Sequence, residues 1–94
     1  MQTLGQIVLQ DAALKHADAK RPITAWLASV SAAQWRNLVD LKADMPSADY
    51  VPPFTVFNVK GNTYRLISVV DYSEKVVVVR NLLTHAEYDK GNWK

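Results

Sequence analysis

Cysteine is absent from the 94 residues, which excludes a disulfide framework, a thiolate zinc site and a thiol nucleophile, so packing must hold the fold. Glycine occurs only three times, and no glycine-rich phosphate loop or G-x-S-x-G nucleophile elbow can be read from the chain. A run of roughly 18 apolar residues is missing, as is an apolar core behind a basic start, so nothing marks a membrane span or export and the cytoplasm is the expected compartment. Only two histidines occur, and neither has a carboxylate pair at a metal-binding spacing; neither a catalytic metal nor a cofactor is expected. Repeats and low-complexity segments are lacking too.

What is present reads as one globular domain over residues 1–94. Hydrophobic residues make up 49% and charged residues 21%, enough apolar side chain for a core and too little net charge for disorder. The net charge is +2, and its placement is informative. In residues 1–53, Lys15, Lys20, Arg21, Arg36 and Lys42 balance Asp11, Asp18, Asp40, Asp44 and Asp49. The excess is C-terminal, where Lys60, Arg65, Lys75, Arg80, Lys90 and Lys94 face only Asp71, Glu74, Glu87 and Asp89, so an anion-binding surface belongs to that half.

The segment Met45 to Pro53 divides the chain by hydrophobic period and reads as a loop. Before it, Ile23, Trp26, Leu27, Val30 and Ala33 recur at helical spacing behind Pro22, which predicts a helix over 22–36. Gln6 to Asp18 is rich in Ala and Leu and predicts a shorter helix, the two forming a helical hairpin. Residues 1–4 fit a short strand. After the loop, Val, Ile, Tyr and Phe dominate, and turns at Lys60-Gly61-Asn62 and Asp71-Tyr72-Ser73-Glu74 separate strands near 54–59, 63–70 and 75–83. Thr84-His85-Ala86-Glu87 has the T-x-x-E pattern of a capping box, so a short helix follows, closed by Gly91. The expected class is α+β: a helical hairpin covering one face of a three-stranded antiparallel meander. Trp26 and Trp35 fit its core, Val76 to Val79 a central strand buried on both faces, and Trp93 has no assigned role.

A second hairpin centred between Tyr72 and Ser73 sets Arg65 opposite Arg80. Like charges facing each other across strands repel, so such a pair implies a neutralising partner, either an anionic ligand or Glu87 and Asp89. The first hairpin pairs Asn58 with Arg65 and leaves Lys60 at the same sheet end. His85 and Tyr88 lie three apart on the last helix, near Arg80, and both types can move protons. Each has a structural alternative, His85 as a helix-start residue and Tyr88 as a staple against Leu83. His16 falls in the first helix, away from this cluster.

The segments FNVKGNTYRLISVVDY (57–72), VVVVRNLLTHAEYDK (76–90) and PITAWLASVSAAQWRNLVDLKADMPSADYV (22–51) resemble the HigB toxins of bacterial type II toxin-antitoxin modules over most of the chain. HigB toxins are RelE-like, so the resemblance implies a compact α+β fold and ribosome-dependent cleavage of mRNA in the ribosomal A site. It further implies a HigA-like helix-turn-helix antitoxin as partner, with operator DNA met only through that antitoxin. The implied chemistry is metal-free attack of the substrate's 2′-hydroxyl on the scissile phosphate. Arg65 and Arg80 would hold that phosphate with Lys60 assisting, while His85 and Tyr88 would share proton transfer, with acid and base undivided. The RNA-contacting set is then Asn58, Lys60, Arg65, Arg80 and Lys90. RelE-like sites often carry more than one lysine before the arginine, and other HigB toxins gather two histidines; this chain offers Lys60 and His85. The competing function is a noncatalytic RNA-binding or antitoxin-binding module on the same fold, and a more remote one is a small structural protein with an incidental basic patch.

Overall fold

Three runs rich in β-branched and aromatic residues become β3 (Phe54–Val59), β4 (Tyr64–Asp71) and β5 (Val76–Thr84), an antiparallel meander in the computed structural model, which describes residues 1–94. Two short strands extend it. β1 (Gln2–Leu4) runs parallel to β5, and β2 (Asp49–Val51) pairs antiparallel with β3, giving the order β1-β5-β4-β3-β2. The sheet therefore has five strands and mixed sense, where three antiparallel strands with a short N-terminal one were expected. The segment 45–53 is not all loop. Tyr50 and Val51 are strand formers, and Pro52-Pro53 reverses the chain so that Val51 lies opposite Phe54.

The helical layer comprises α1 (Gln6–Lys15), a 3-10 turn (Ala17–Ala19), α2 (Lys20–Ala32) and α3 (Leu38–Asp44). α2 stops earlier than the predicted 22–36. The Val30 carbonyl near its end and the Ala33 carbonyl just past it accept hydrogen bonds from the Met1 ammonium at 2.9 and 2.8 Å, and Ala33 turns extended. The chain then runs straight enough for Trp35 to drop into the core beside Phe57, with ring centroids 6.3 Å apart. Asn37 starts α3 by accepting the Asp40 amide at 3.0 Å, an N-cap that the sequence displays and that the hairpin reading passed over.

Alternation along the strands gives the sheet two different faces. Phe57, Val59, Tyr64, Leu66, Val77 and Val79 belong to the cluster that also holds Leu9, Ile23, Trp26, Val30, Trp35 and Leu41 of the helical segments. Trp26 and Trp35 are core, as expected. Within β5, Val77 and Val79 are fully buried while Val76 and Val78 are only partly so, because the opposite face is thinly covered there. Gly5 lets α1 begin directly on β5: with φ +82°, it lies where an added Cβ would stand 2.5 Å from the Val79 carbonyl oxygen.

On the other face Val56 and Ile67 are buried yet stand outside the helix-side cluster. This side is closed by α4 (His85–Lys90) and Trp93. The Trp93 ring stacks on Tyr88 at 5.0 Å and 14° and meets Phe54 edge-on at 5.7 Å. The capping box forms as predicted, with the Glu87 amide donating to Thr84 Oγ1 at 3.2 Å and the Thr84 amide to Glu87 Oε1 at 2.9 Å. Gly91, at φ +73°, ends the helix.

The register of the second hairpin corrects the expected arginine pair. The first hairpin does set Asn58 opposite Arg65, but in the second Arg65 faces Leu83. The turn takes Tyr72 to Lys75, moving the pairing by two places, and a bulge opposite Ile67 and Ser68 skips Arg80 altogether. Asn81 pairs with Ile67 and Val79 with Ser68, whose buried hydroxyl is satisfied by the Thr55 carbonyl at 2.8 Å. Arg80 thus has no cross-strand partner, and strand rise puts it about 10 Å along β5 from the residue facing Arg65.

Candidate functional site

The first residue of β4 to point at the α4 side is Arg65, and α4 begins immediately after β5 ends beside it. His85 is the first residue of that helix, held down by its own amide, which donates to the Thr63 carbonyl at 3.2 Å. The result is a contact between two chain segments twenty residues apart: Arg65 Nη2 lies 3.2 Å from His85 Nδ1. The same guanidinium donates to Asn62 Oδ1 and to the Tyr64 carbonyl, each at 3.3 Å. Its carbon sits 5.6 Å from the centroid of the Tyr88 ring, a cation-π contact whose aromatic partner is itself backed by Trp93. Trp93 also donates from Nε1 to the Tyr88 carbonyl at 2.9 Å, so the last residues of the chain brace the helix that presents Tyr88.

These contacts orient the His85 ring. A guanidinium has donors and no acceptor, so Nδ1 must offer its lone pair to Arg65. The opposite nitrogen, Nε2, lies 3.2 Å from Asp89 Oδ2 one helical turn on, and a carboxylate accepts there. This geometry turns the Nδ1 lone pair toward Arg65 and the Nε2–H toward Asp89, which orients the ring from behind. Arg65 forms no ion pair, and neither Glu87 nor Asp89 neutralises it; Glu87 is used by the cap, where the Thr84 amide holds its carboxyl below the usual range. An anion arriving at Arg65 would find a charge without a counterion.

Lys60 is at the same sheet end but is engaged elsewhere. Its Nζ lies 2.7 Å from Asp18 Oδ2, and the Tyr64 hydroxyl donates to Asp18 Oδ1 at 2.5 Å. The Lys60 ammonium and then the Tyr64 hydroxyl hold the Asp18 carboxyl below its ordinary range, and the carboxylate in turn pushes the Tyr64 phenol up. His16, expected to lie apart, packs its ring against Tyr64 with centroids 5.1 Å apart. The reason is topological: α1 returns to the start of β4, so its C-terminal end reaches the same rim. Sequence reasoning thus missed Asp18, Tyr64 and Asn62, set His16 apart, and weighed Asp89 only as a partner for the arginines. Only the i, i+4 spacing of His85 and Asp89 offered a sequence signal.

Of the other expected residues, Asn58 is adjacent to Arg65 by register and half-buried. Arg80 and Lys90 are exposed and make no hydrogen bond or ion pair; Arg80 is not brought to Arg65. A cleft of about 560 Å³ lies between Trp35 and Asp40, and others line α1, α2 and the chain start; none of these includes Arg65, His85 or Tyr88. The candidate site is an open rim of the sheet. No helix is long and apolar enough to cross a membrane, and no three His, Cys, Asp or Glu side chains gather as a metal cage.

Comparison with known proteins gives this rim a context. The family model HigB_toxin, described as the RelE-like toxic component of a toxin-antitoxin system, matches residues 19–91. The mRNA interferase toxin HigB of Escherichia coli (strain K12) is 33% identical over 92 residues, covering 95% of this chain and 88% of the relative. The mRNA interferase HigB of Escherichia coli O157:H7 and that of Shigella flexneri match to the same extent. The span 19–91 contains Arg65, Arg80, His85 and Tyr88, together with Lys60 and Lys90, and starts just past Asp18.

Proposed function

Because the chain belongs to the HigB toxin family of RelE-like toxic components, we propose that it is a metal-independent mRNA endonuclease acting in the cytoplasm on message held in the ribosomal A site. The observation that carries the reading is the unneutralised Arg65 guanidinium in contact with the Nδ1 lone pair of His85. Phosphate bound at Arg65 replaces that contact, since a planar guanidinium prefers two anionic oxygens to one imidazole nitrogen. Binding of the substrate therefore frees the base at the moment it is needed.

In this mechanism His85 Nδ1 takes the proton of the 2′-hydroxyl, and Asp89 stabilises the imidazolium that forms. The 2′-oxygen bonds to phosphorus while Arg65 balances the charge that grows on the phosphoryl oxygens. The bond from phosphorus to the 5′-oxygen breaks, and that oxygen takes a proton from Tyr88, whose hydroxyl has no partner within the chain. The products are a 2′,3′-cyclic phosphate and a 5′-hydroxyl, with no water or metal consumed. Lys60 and Asn58 contact the backbone nearest the scissile bond. Arg80 and Lys90 meet phosphates further along, consistent with their separation from Arg65.

The ribosome supplies what an open rim lacks. Holding the 2′-oxygen in line with phosphorus removes about 7–11 kcal/mol of a barrier through alignment. A net charge of +2 gives little affinity for free RNA at physiological salt, so delivery must come from the ribosome. A HigA-like antitoxin neutralises the toxin by keeping it off the ribosome, and the pair represses its operon through the antitoxin's own DNA-binding motif. The test is cleavage of one message, free and in a programmed ribosome, by wild type, Arg65→Ala and His85→Ala. Expected is efficient cut only on the ribosome, abolished by Arg65→Ala and reduced at least a hundredfold by His85→Ala, a loss in the range of about 10²–10⁴ for removed general acid-base catalysis. Equal cleavage of free and bound message, or full activity in Arg65→Ala, refutes the proposal.

A further inference from the structure

Asp18 stands outside the proposed chemistry, yet three observations converge on it. First, it is the sole contact of the Lys60 ammonium and of the Tyr64 hydroxyl, one carboxylate oxygen to each. Second, Lys60 occupies the left-handed region at φ +56°, directly before Gly61 at φ +61°. That conformation disfavours any residue with a Cβ, and a turn of this kind normally takes Asn, Asp or Gly there. Lys60 keeps this conformation with two attachments: its carbonyl accepts the Thr63 amide at 3.1 Å, and its side chain has Asp18 as its hydrogen-bond partner. Third, the turn that Lys60 opens is the piece from which the proposed site hangs. Asn62 Oδ1 accepts from Arg65 at 3.3 Å, and the Thr63 carbonyl accepts the His85 amide at 3.2 Å.

We propose that Asp18 is a positioning residue for RNA cleavage: from the connection between α1 and α2 it clamps Lys60 and Tyr64, and through the turn 60–63 it fixes where Arg65 and His85 meet. This rests on the reading of Arg65 and His85 as the cleavage site. Asp18 touches no substrate. Its carboxylate is half exposed, so its value lies less in the energy of the ion pair than in the two fixed directions it imposes on residues four apart in the chain. Tyr64 is buried against His16, which makes the clamp rigid at that end. A displacement of the turn by about 1 Å is enough to cost on the order of a hundredfold in rate. The opposite role is also physically available, since a carboxylate beside Lys60 competes with phosphate; on that account removing it would speed the reaction.

Single-turnover cleavage of message in programmed ribosomes, at saturating and subsaturating toxin, separates these accounts. Asp18→Asn is expected to slow the saturated rate at least tenfold with the half-saturating concentration unchanged within twofold. Asp18→Glu is expected to recover to within about threefold, because it restores both hydrogen bonds with a longer arm. Amide hydrogen exchange supplies the readout that does not depend on activity. In Asp18→Asn the amides of Thr63 and His85, which close the turn and seat α4, exchange at least tenfold faster, whereas the amides of Leu66 and Val77 keep their rates. Uniform acceleration of all four would mean general destabilisation and overturn the proposal, as would a saturated rate equal to or above wild type. The two readings fail separately. If Arg65→Ala still cleaves, the proposed site is wrong whatever Asp18 does; if Arg65→Ala is inactive and Asp18→Asn cleaves normally, only the clamp is refuted.

Discussion

Replacing Gly5 by Ala should be the most damaging single-methyl change in the chain, and the three glycines allow its cost to be divided. All three have positive φ, +82° at Gly5, +61° at Gly61 and +73° at Gly91. A Cβ in the left-handed region costs about 1–2 kcal/mol. Alanine recovers about 0.4–1 kcal/mol by restricting the unfolded chain. At Gly61 and Gly91 an added Cβ meets nothing within 4 Å, so those variants should lose only about 0.5–1.5 kcal/mol. At Gly5 the new methyl would lie 2.5 Å from the Val79 carbonyl oxygen, a main-chain atom of β5, which cannot swing aside as a side chain would. Displacing a packed strand adds about 1–3 kcal/mol, for a total of about 2–4 kcal/mol. For a domain of this size each kcal/mol lowers Tm by about 4–8 °C, so Gly5→Ala should melt about 10–30 °C below wild type, and the two controls less than about 12 °C below. Thermal and urea unfolding followed by far-UV circular dichroism measure this directly. Should Gly5→Ala melt within 3 °C of Gly61→Ala, the close approach of α1 to β5 does not exist as described.

Thr84→Ala removes the side-chain acceptor of the α4 capping box and is expected to cost about 1 kcal/mol, read as a Tm loss of about 4–8 °C. Because His85 is the first residue of that helix, the same variant should also lower cleavage by more than its fraction unfolded explains, which a rate measured well below Tm will show. Two pH windows bound stability. The carboxyls of Asp18 and Glu87 are held below their ordinary values, so the stability they contribute is complete above the unfolded carboxylate pKa and is lost as pH falls through the lower folded value, below about pH 4. The Tyr64 phenol is raised, so its contribution is full below about pH 10 and is lost as pH rises through the higher folded value. Urea midpoints for wild type and Asp18→Asn across pH 2–11 check both, the variant being flatter at each extreme; identical profiles would exclude Asp18 and Tyr64 from the effect.

The strands of the meander, the α4 capping box and the placement of Asn58 against Arg65 were legible because each is written in a few neighbouring residues: β-branched runs, T-x-x-E, and a turn whose centre sets the first register. The second register was not legible from the turn alone. A bulge at Arg80 is decided by what packs on both faces of β5, and a shift of this kind moves every later residue relative to its partner. Even so, Arg65 and His85 meet because the helix start, not the strand, delivers the histidine. The helix ending at Ala32 is likewise a tertiary effect, since nothing in Ser31-Ala32-Ala33 breaks a helix, whereas α3 was announced by Asn37 and Asp40. The Asp18 clamp had no sequence signature. It joins residues forty-two positions apart, and only the folded path of α1 puts them together.

The two outermost strands have three residues apiece, and this limits how the molecule can associate. A sheet margin grows by accepting another chain's strand, residue by residue, and each such addition needs a row of free amides and carbonyls pointing outward. β1 offers three residues before Gly5 turns the chain into a helix, and β2 offers three before Pro52 and Pro53, which have no amide hydrogen to give. Alternate groups point inward to the neighbouring strand, so about one or two face out on each side. So few outward groups disfavour strand pairing between molecules at either margin. With its margins this short, the surfaces that shape and charge make available to another molecule are the helical side and the open face, not the strand edges.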